Sequence, residues 1–189
     1  LADITRSPRR YGFHATLKAP FHLSSRTTEA ELLAAFDEFA ETEPAFTVPA
    51  MKVGNIDGFL AIIPSSPSRA LNAFADRVVM AFDKFRAPLT AADIERRTPH
   101  MLSPIEAVNL HDWGYPYVFE SFYFHMTLTD RLNPSDQPAV LAAAQDYFAP
   151  LLPQPFPIDS LALFVEPQPG APFTVLRHVK LTATSRKGP

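Results

Sequence analysis

Apolar and polar residues alternate strictly at two places in the chain. Tyr11-Gly-Phe-His-Ala-Thr-Leu-Lys18 sets apolar side chains at 11, 13, 15 and 17 against Gly12, His14, Thr16 and Lys18, and Phe122-Tyr-Phe-His-Met-Thr-Leu-Thr129 alternates in the same way. A period of two predicts half-buried strands over 11–18 and 122–129. A helical period follows each of them. Leu32, Leu33, Phe36 and Phe39 fall on one stripe, opened by a Thr28/Glu31 capping box and closed by Pro44, and residues 137–148 form the later counterpart. Next comes a hairpin in both cases. Its strands are 46–53 and 59–63 across residues 54–58 in the first half, and 158–165 and 173–180 across a Pro-Gln-Pro-Gly turn in the second.

A further amphipathic helix is predicted over 68–85, with Leu71, Phe74, Val78 and Phe82 on one side. Between the two recurrences, Pro88, Pro99, Pro104 and Pro116 divide the chain into short helical pieces. The order strand, helix, hairpin therefore occurs twice. It predicts an α+β protein of duplicated β-α-β-β lobes, with antiparallel sheets lining a central groove and helices on the outer faces. Lobe one covers about 1–86, the connector about 87–117 and lobe two about 118–189 of a single two-lobed domain.

Composition narrows the chemistry. Hydrophobic residues at 47% and charged residues at 20% describe a chain that folds, not a disordered one. Cysteine is absent, which excludes thiolate nucleophiles, disulfide frameworks and Cys-based metal sites. Apolar runs such as 59–63 are far too short to span a bilayer, so no membrane association and a cytoplasmic location are expected. A formal charge of −3 argues against a long polyanion-binding surface but leaves a small anion open. The first 26 residues are locally basic, with Arg6, Arg9, Arg10, Lys18 and Arg26 against Asp3.

His14-Ala-Thr16-Leu17 and His125-Met-Thr127-Leu128 are one pattern, His-x-Thr-Leu, at matching positions of the two alternating segments. Chance would produce two such matches on the order of once in a thousand chains. On a strand, residues i and i+2 share a face, so each segment offers an imidazole beside a hydroxyl. A phosphodiester needs a base for the attacking oxygen and an acid for the departing one, and histidine serves either role near neutral pH. Thr16 and Thr127 can donate hydrogen bonds to the non-bridging phosphoryl oxygens. Taken singly, each tetrapeptide also fits a structural histidine beside a threonine chosen for β propensity. Their recurrence in corresponding places favours the catalytic pair.

The two motifs in a duplicated α+β chain resemble the two-histidine (2H) phosphoesterase superfamily, which includes cyclic phosphodiesterases and 2′-5′ RNA ligase-like proteins. The longer strings from Arg10 to Phe21 and from Trp113 to Thr129 are similar, more narrowly, to a branch associated with phosphonate metabolism. That resemblance implies a phosphodiesterase acting on a small cyclic phosphate or nucleotide, such as a ribosyl cyclic phosphate. It also implies that members carry a further strand-bearing segment ahead of the first motif, which this chain begins too late to include.

Substrate-binding candidates are Lys18, on the parity of Thr16, and Tyr123, Thr129 and Arg131, on the parity of His125. Tyr11 joins them if the strand entrance turns inward. Their plain alternative is a solvated strand end or an aromatic packing residue. His22, His100, His111 and His178 read as loop or structural histidines, and Arg96-Arg97 as a solvated face. There is no metal-ligand spacing, no Gly-x-x-x-x-Gly-Lys loop and no dinucleotide fingerprint, so neither metal nor cofactor is expected. No obligate protein partner is evident. Two other functions use the same residues: a module that binds nucleotides or RNA ends without chemistry, and RNA 2′-5′ end joining.

Overall fold

The hairpin of the first half turns on two residues. Its strands are β2 (Met51–Ile56) and β3 (Phe59–Pro64), paired antiparallel from Met51↔Pro64 to Ile56↔Phe59. Asp57 and Gly58 between them have φ of 47° and 98°, the left-handed geometry that matches strand twist in a two-residue turn. Residues 54–56, expected in the loop, are thus ladder residues. The strand expected over 46–53 is instead two, β1 (Pro44–Val48) and β2, because Pro49 has no N–H to donate.

The computed structural model describes residues 2–98, 100–181 and 183–184; Pro99, read from sequence as a divider, lies outside them. Its other elements are α1 (Arg6–Arg9), α2 (Glu29–Thr42), α3 (Arg69–Phe82), α4 (Ala91–Arg97), α5 (Pro104–Trp113), β4 (Met126–Thr127), α6 (Gln137–Phe148), β5 (Phe156–Ile158), β6 (Ser160–Val165), β7 (Thr174–Lys180) and β8 (Ala183–Thr184). The fold is α+β. Its strand pairs are antiparallel except β1 with β8, which is parallel.

The chain forms two compact units, neither continuous in sequence. One comprises Leu1–Ala15, Ala40–Ser68 and His125–Pro189; the other comprises Thr16–Phe39 and Arg69–Phe124.

In the first unit, β4 adds to β3 through Ala61↔Thr127 and Ile62↔Met126. One face of this sheet is core, where Val53, Leu60 and Leu132 are buried against Leu128 and against Val140, Leu141 and Ala144 of α6. The opposite parity of β3 and β4 holds Phe59, Ala61, His125, Thr127 and Thr129. Two long-range pairings lie nearby: Ala15 bridges Met126, and Thr47 of β1 lies opposite Pro157 of β5. Each partner follows its counterpart by 111 and 110 residues.

The second unit packs α2 on α3. The ring of Phe36 lies 5.9 Å from that of Phe82, and Phe39 lies 5.3 Å from Phe82 and 6.3 Å from Phe74. Leu71, Phe74, Val78 and Phe82 are all buried, as the stripe requires. A 3-10 turn over Asp83–Phe85 takes up the last residues of the expected helix. Thr28 and Glu31 form their reciprocal cap: the Thr28 N–H donates to the Glu31 carboxylate at 2.7 Å, and the Glu31 N–H to the Thr28 hydroxyl at 3.2 Å. Thr90 with Asp93 and Ser103 with Glu106 open α4 and α5 in the same fashion, the former holding the Asp93 carboxyl at about 2.

Neither alternating segment forms the full strand expected. Over 11–18 there is a single bridge at Ala15, preceded by helical turns at Asp3–Thr5 and Arg6–Arg9. Over 122–129 only Met126–Thr127 is strand, after a 3-10 turn at Phe119–Ser121. Alternation specifies sidedness only where a neighbouring strand supplies a ladder. Phe13, expected on the buried parity, is 62% exposed.

Candidate functional site

The bridge Ala15↔Met126 fixes the geometry of the two motifs. In an antiparallel pair the flanking positions face each other, so His14 lies opposite Thr127, and His125 shares the side of Thr127 two residues earlier. A cavity of about 250 Å³ in the first unit is lined by Tyr11, Gly12 and His14 and by Phe59, Thr127 and Thr129. Ser7, Pro8, Asp130 and Arg131 complete the wall.

His14 is held from several directions. Its Nδ1 lies 3.0 Å from the Gly12 carbonyl oxygen, which accepts only, so that nitrogen carries the proton. The carbonyl is aimed by Gly12 itself, whose φ of 71° is open to glycine at little cost. The ring lies 5.8 Å from that of Tyr11 and 5.4 Å from that of Phe164 on β6. Tyr11 in turn stacks on Phe173 at 4.9 Å. The His125 ring stands edge-on to Phe59 at 5.9 Å, which links it to the cavity wall.

The remaining candidates occupy varied positions. Thr127 is half-buried on the lining. Thr129 is 5% exposed, and its hydroxyl accepts the Leu60 N–H at 2.9 Å, joining β3 to the residues after β4. Arg131 lines the cavity while donating from Nη1 to the Asp57 carbonyl of the hairpin turn. Tyr11 lines it as well. Thr16 is exposed and opens the second unit. Tyr123 is 53% exposed and also belongs to the second unit.

Lys18 is committed within the second unit, donating to Asp83 at 3.1 Å and to the Val79 carbonyl at 3.1 Å. Burial lowers its ammonium from the ordinary lysine value against the pull of Asp83. Burial pushes the Asp83 carboxyl up, but hydrogen bonds from Arg86 and Lys18 outweigh it and hold the group below its usual range. Arg97, read as a solvated face, donates to the Gly114 and Pro20 carbonyls and lies 5.8 Å over the Tyr115 ring.

Asp130 is a lining residue that periodicity did not single out. Its carboxylate accepts the N–H groups of Arg6 at 2.9 Å and Ser7 at 3.1 Å, so it caps α1, for which Thr5 provides no side-chain cap. Hydrogen bonding from Ser7 is the main cause that holds its carboxyl below the usual range. Phe59 had a local signal, its place directly after the Asp57-Gly58 turn. Phe164 and Phe173 had none.

Comparison with known proteins adds a family. A family described as "Protein of unknown function (DUF1045)" matches residues 16–174. The chain belongs to this family. It is also 36% identical over 191 residues to a Janthinobacterium sp. (strain Marseille) protein named ribose 1,5-bisphosphate phosphokinase PhnN, covering 99% of this chain and 42% of the relative. A protein of the same name from Laribacter hongkongensis (strain HLHK9) is 38% identical over 180 residues, covering 95% of this chain and 42% of its own length. The chain thus spans less than half of either curated relative. Among the described residues, no helix is long and apolar enough to cross a membrane.

Proposed function

We propose that this chain is a phosphodiesterase of the two-histidine type, opening a small cyclic phosphodiester with His14 and His125 as its acid–base pair and without a metal. The observation that carries the reading is the pairing of Ala15 with Met126, which sets equivalent positions of the two His-x-Thr-Leu motifs opposite each other in one antiparallel bridge. One imidazole takes a proton from water as its oxygen attacks phosphorus. The other gives a proton to the ester oxygen as the P–O bond breaks, so the ring opens to one product that carries a phosphomonoester and a free hydroxyl. With Nδ1 of His14 turned to the Gly12 carbonyl, Nε2 is the nitrogen that exchanges a proton with substrate. Thr127 donates to a non-bridging oxygen. A cavity of about 250 Å³ matches a sugar phosphate or mononucleotide in scale, and its aromatic rings suit a ring-shaped substrate.

The relatives' name concerns a phosphokinase acting on ribose 1,5-bisphosphate. This chain contains no Gly-x-x-x-x-Gly-Lys loop and spans 42% of either relative, so we do not carry the named kinase activity over to it. A ribosyl cyclic phosphate remains a fitting substrate for the present chain, alongside 2′,3′-cyclic nucleotides.

The deciding experiment is turnover of both substrates in EDTA by wild type, His14→Ala and His125→Ala. Loss of about 10²–10⁴-fold in each variant is expected. Wild-type rates in both variants would end the proposal; tight binding without turnover would favour a nucleotide-binding module, and joined RNA ends would favour ligation.

A further inference from the structure

The Arg10 side chain reaches across to the β6–β7 connection. Its Nε donates to the Ala171 carbonyl at 3.0 Å, and its Nη2 pairs with the Glu166 carboxylate. Glu166 also accepts the Gly170 N–H at 2.6 Å, so one carboxylate fixes both the bend of that connection and the arginine. The backbone closes the same link, with the Phe173 N–H donating to the Arg10 carbonyl at 2.8 Å. Above the link, the guanidinium lies 5.4 Å from the centroids of both Tyr11 and Phe173.

These contacts act on the segment that carries His14. Between Arg10 and the bridge at Ala15, that segment has no strand ladder, and its turn at Gly12 is left-handed. The His14 ring rests on Tyr11, held by Phe173, and on Phe164, two residues before Glu166. An ion pair about one-third exposed contributes little to global stability, so the consequence of this one is geometric.

We infer that Arg10 and Glu166 form a positioning clasp that holds the His14 imidazole in its reactive orientation. Neither residue lines the cavity, so neither is assigned contact with substrate. The inference rests on the two-histidine reading for its catalytic consequence, whereas the placement of the ring can be measured without it.

The test compares wild type with Arg10→Ala, Arg10→Lys, Glu166→Ala and the double alanine variant, using 2′,3′-cyclic AMP as substrate. Imidazole ¹H–¹⁵N correlation spectra are recorded in parallel, with the His14 signals assigned through His14→Ala. Arg10→Ala is expected to lower kcat about 10–100-fold, the scale of a misplaced catalytic group. KM should change by less than about threefold. The His14 resonances should shift, Arg10→Lys should recover part of the loss, and the double variant should be little worse than either single one. Unchanged kcat together with unchanged His14 resonances in Arg10→Ala would overturn the clasp. If wild type turns over no cyclic phosphodiester, the functional reading fails, yet the resonances still decide: movement supports the clasp and constancy rejects it. Should Arg10→Ala not fold, Arg10→Lys and Glu166→Gln are judged on the same spectra.

Discussion

Ala15 and Met126 face each other in one antiparallel bridge, and each is the residue that follows the histidine of its motif. A slip of one residue in this register would send His14 to the opposite side of the sheet from Thr127. The site therefore depends on a contact made by two residues that do no chemistry.

Thr127→Val should keep the strand and remove the hydroxyl. Loss of one donor to the phosphoryl oxygens is expected to lower kcat about 10²-fold, with the urea unfolding midpoint near that of wild type. Steady-state kinetics and urea titration on the same preparation separate the two effects, and an equal loss in stability would assign Thr127 to the fold instead.

Thr129 is expected to behave in the reverse manner. Thr129→Val leaves the Leu60 N–H without its acceptor in a buried setting, a cost of about 1–3 kcal/mol. Thr129→Ser should restore most of it. Urea unfolding of the three proteins checks the order.

A β-carbon at Gly54 would meet Ile63 Cδ1 at 2.5 Å. Cδ1 is the far end of the Ile63 side chain and can turn aside, so Gly54→Ala should destabilise the hairpin by no more than about 1 kcal/mol. Ile63→Val removes the clashing Cδ1, so the pair should be more stable than the sum of the single changes predicts. Thermal unfolding of the four members of this cycle supplies the number.

Asp130 makes stability depend on pH in one direction. Its folded-state carboxyl is held below the unfolded value of about 3.9, so its contribution is complete above that value and disappears as pH falls through the lower folded one. Asp130→Ala should cost about 1 kcal/mol at pH 7, the worth of a helix cap, and approach no cost in strong acid. Urea midpoints across this range would contradict the assignment if the difference stayed constant.

Local periodicity was legible wherever one element buries a single face. The α2 stripe with its Thr28/Glu31 cap, the buried face of α3, and α6 over 137–148 all match the pattern of their residues. The motifs at 14–17 and 125–128 were legible as a recurring residue pattern, but not as the full strands expected there. Alternation there marks which side chains share a side, whereas the backbone of the first segment is fixed by the bridge to Met126 and the link to Phe173, both more than a hundred residues away. Lys18 shows the same boundary: its parity matched Thr16, but Asp83, 65 residues on, takes its ammonium. No local feature of the sequence announces such a partner. Asp130 escaped notice for a similar reason, since its ligands are backbone N–H groups at the far end of the chain.

The Ala15–Met126 bridge also orders events during synthesis. Residue 15 leaves the ribosome long before residue 126 exists, and their meeting closes a loop of 111 residues, an entropic cost repaid only when β3 already offers an edge for β4. The helices and the β2–β3 hairpin involve nearby residues and can form first. Amide protection at Ala15 should accordingly appear among the last in a refolding pulse, which makes the meeting of the two motifs a late event in the life of each new chain.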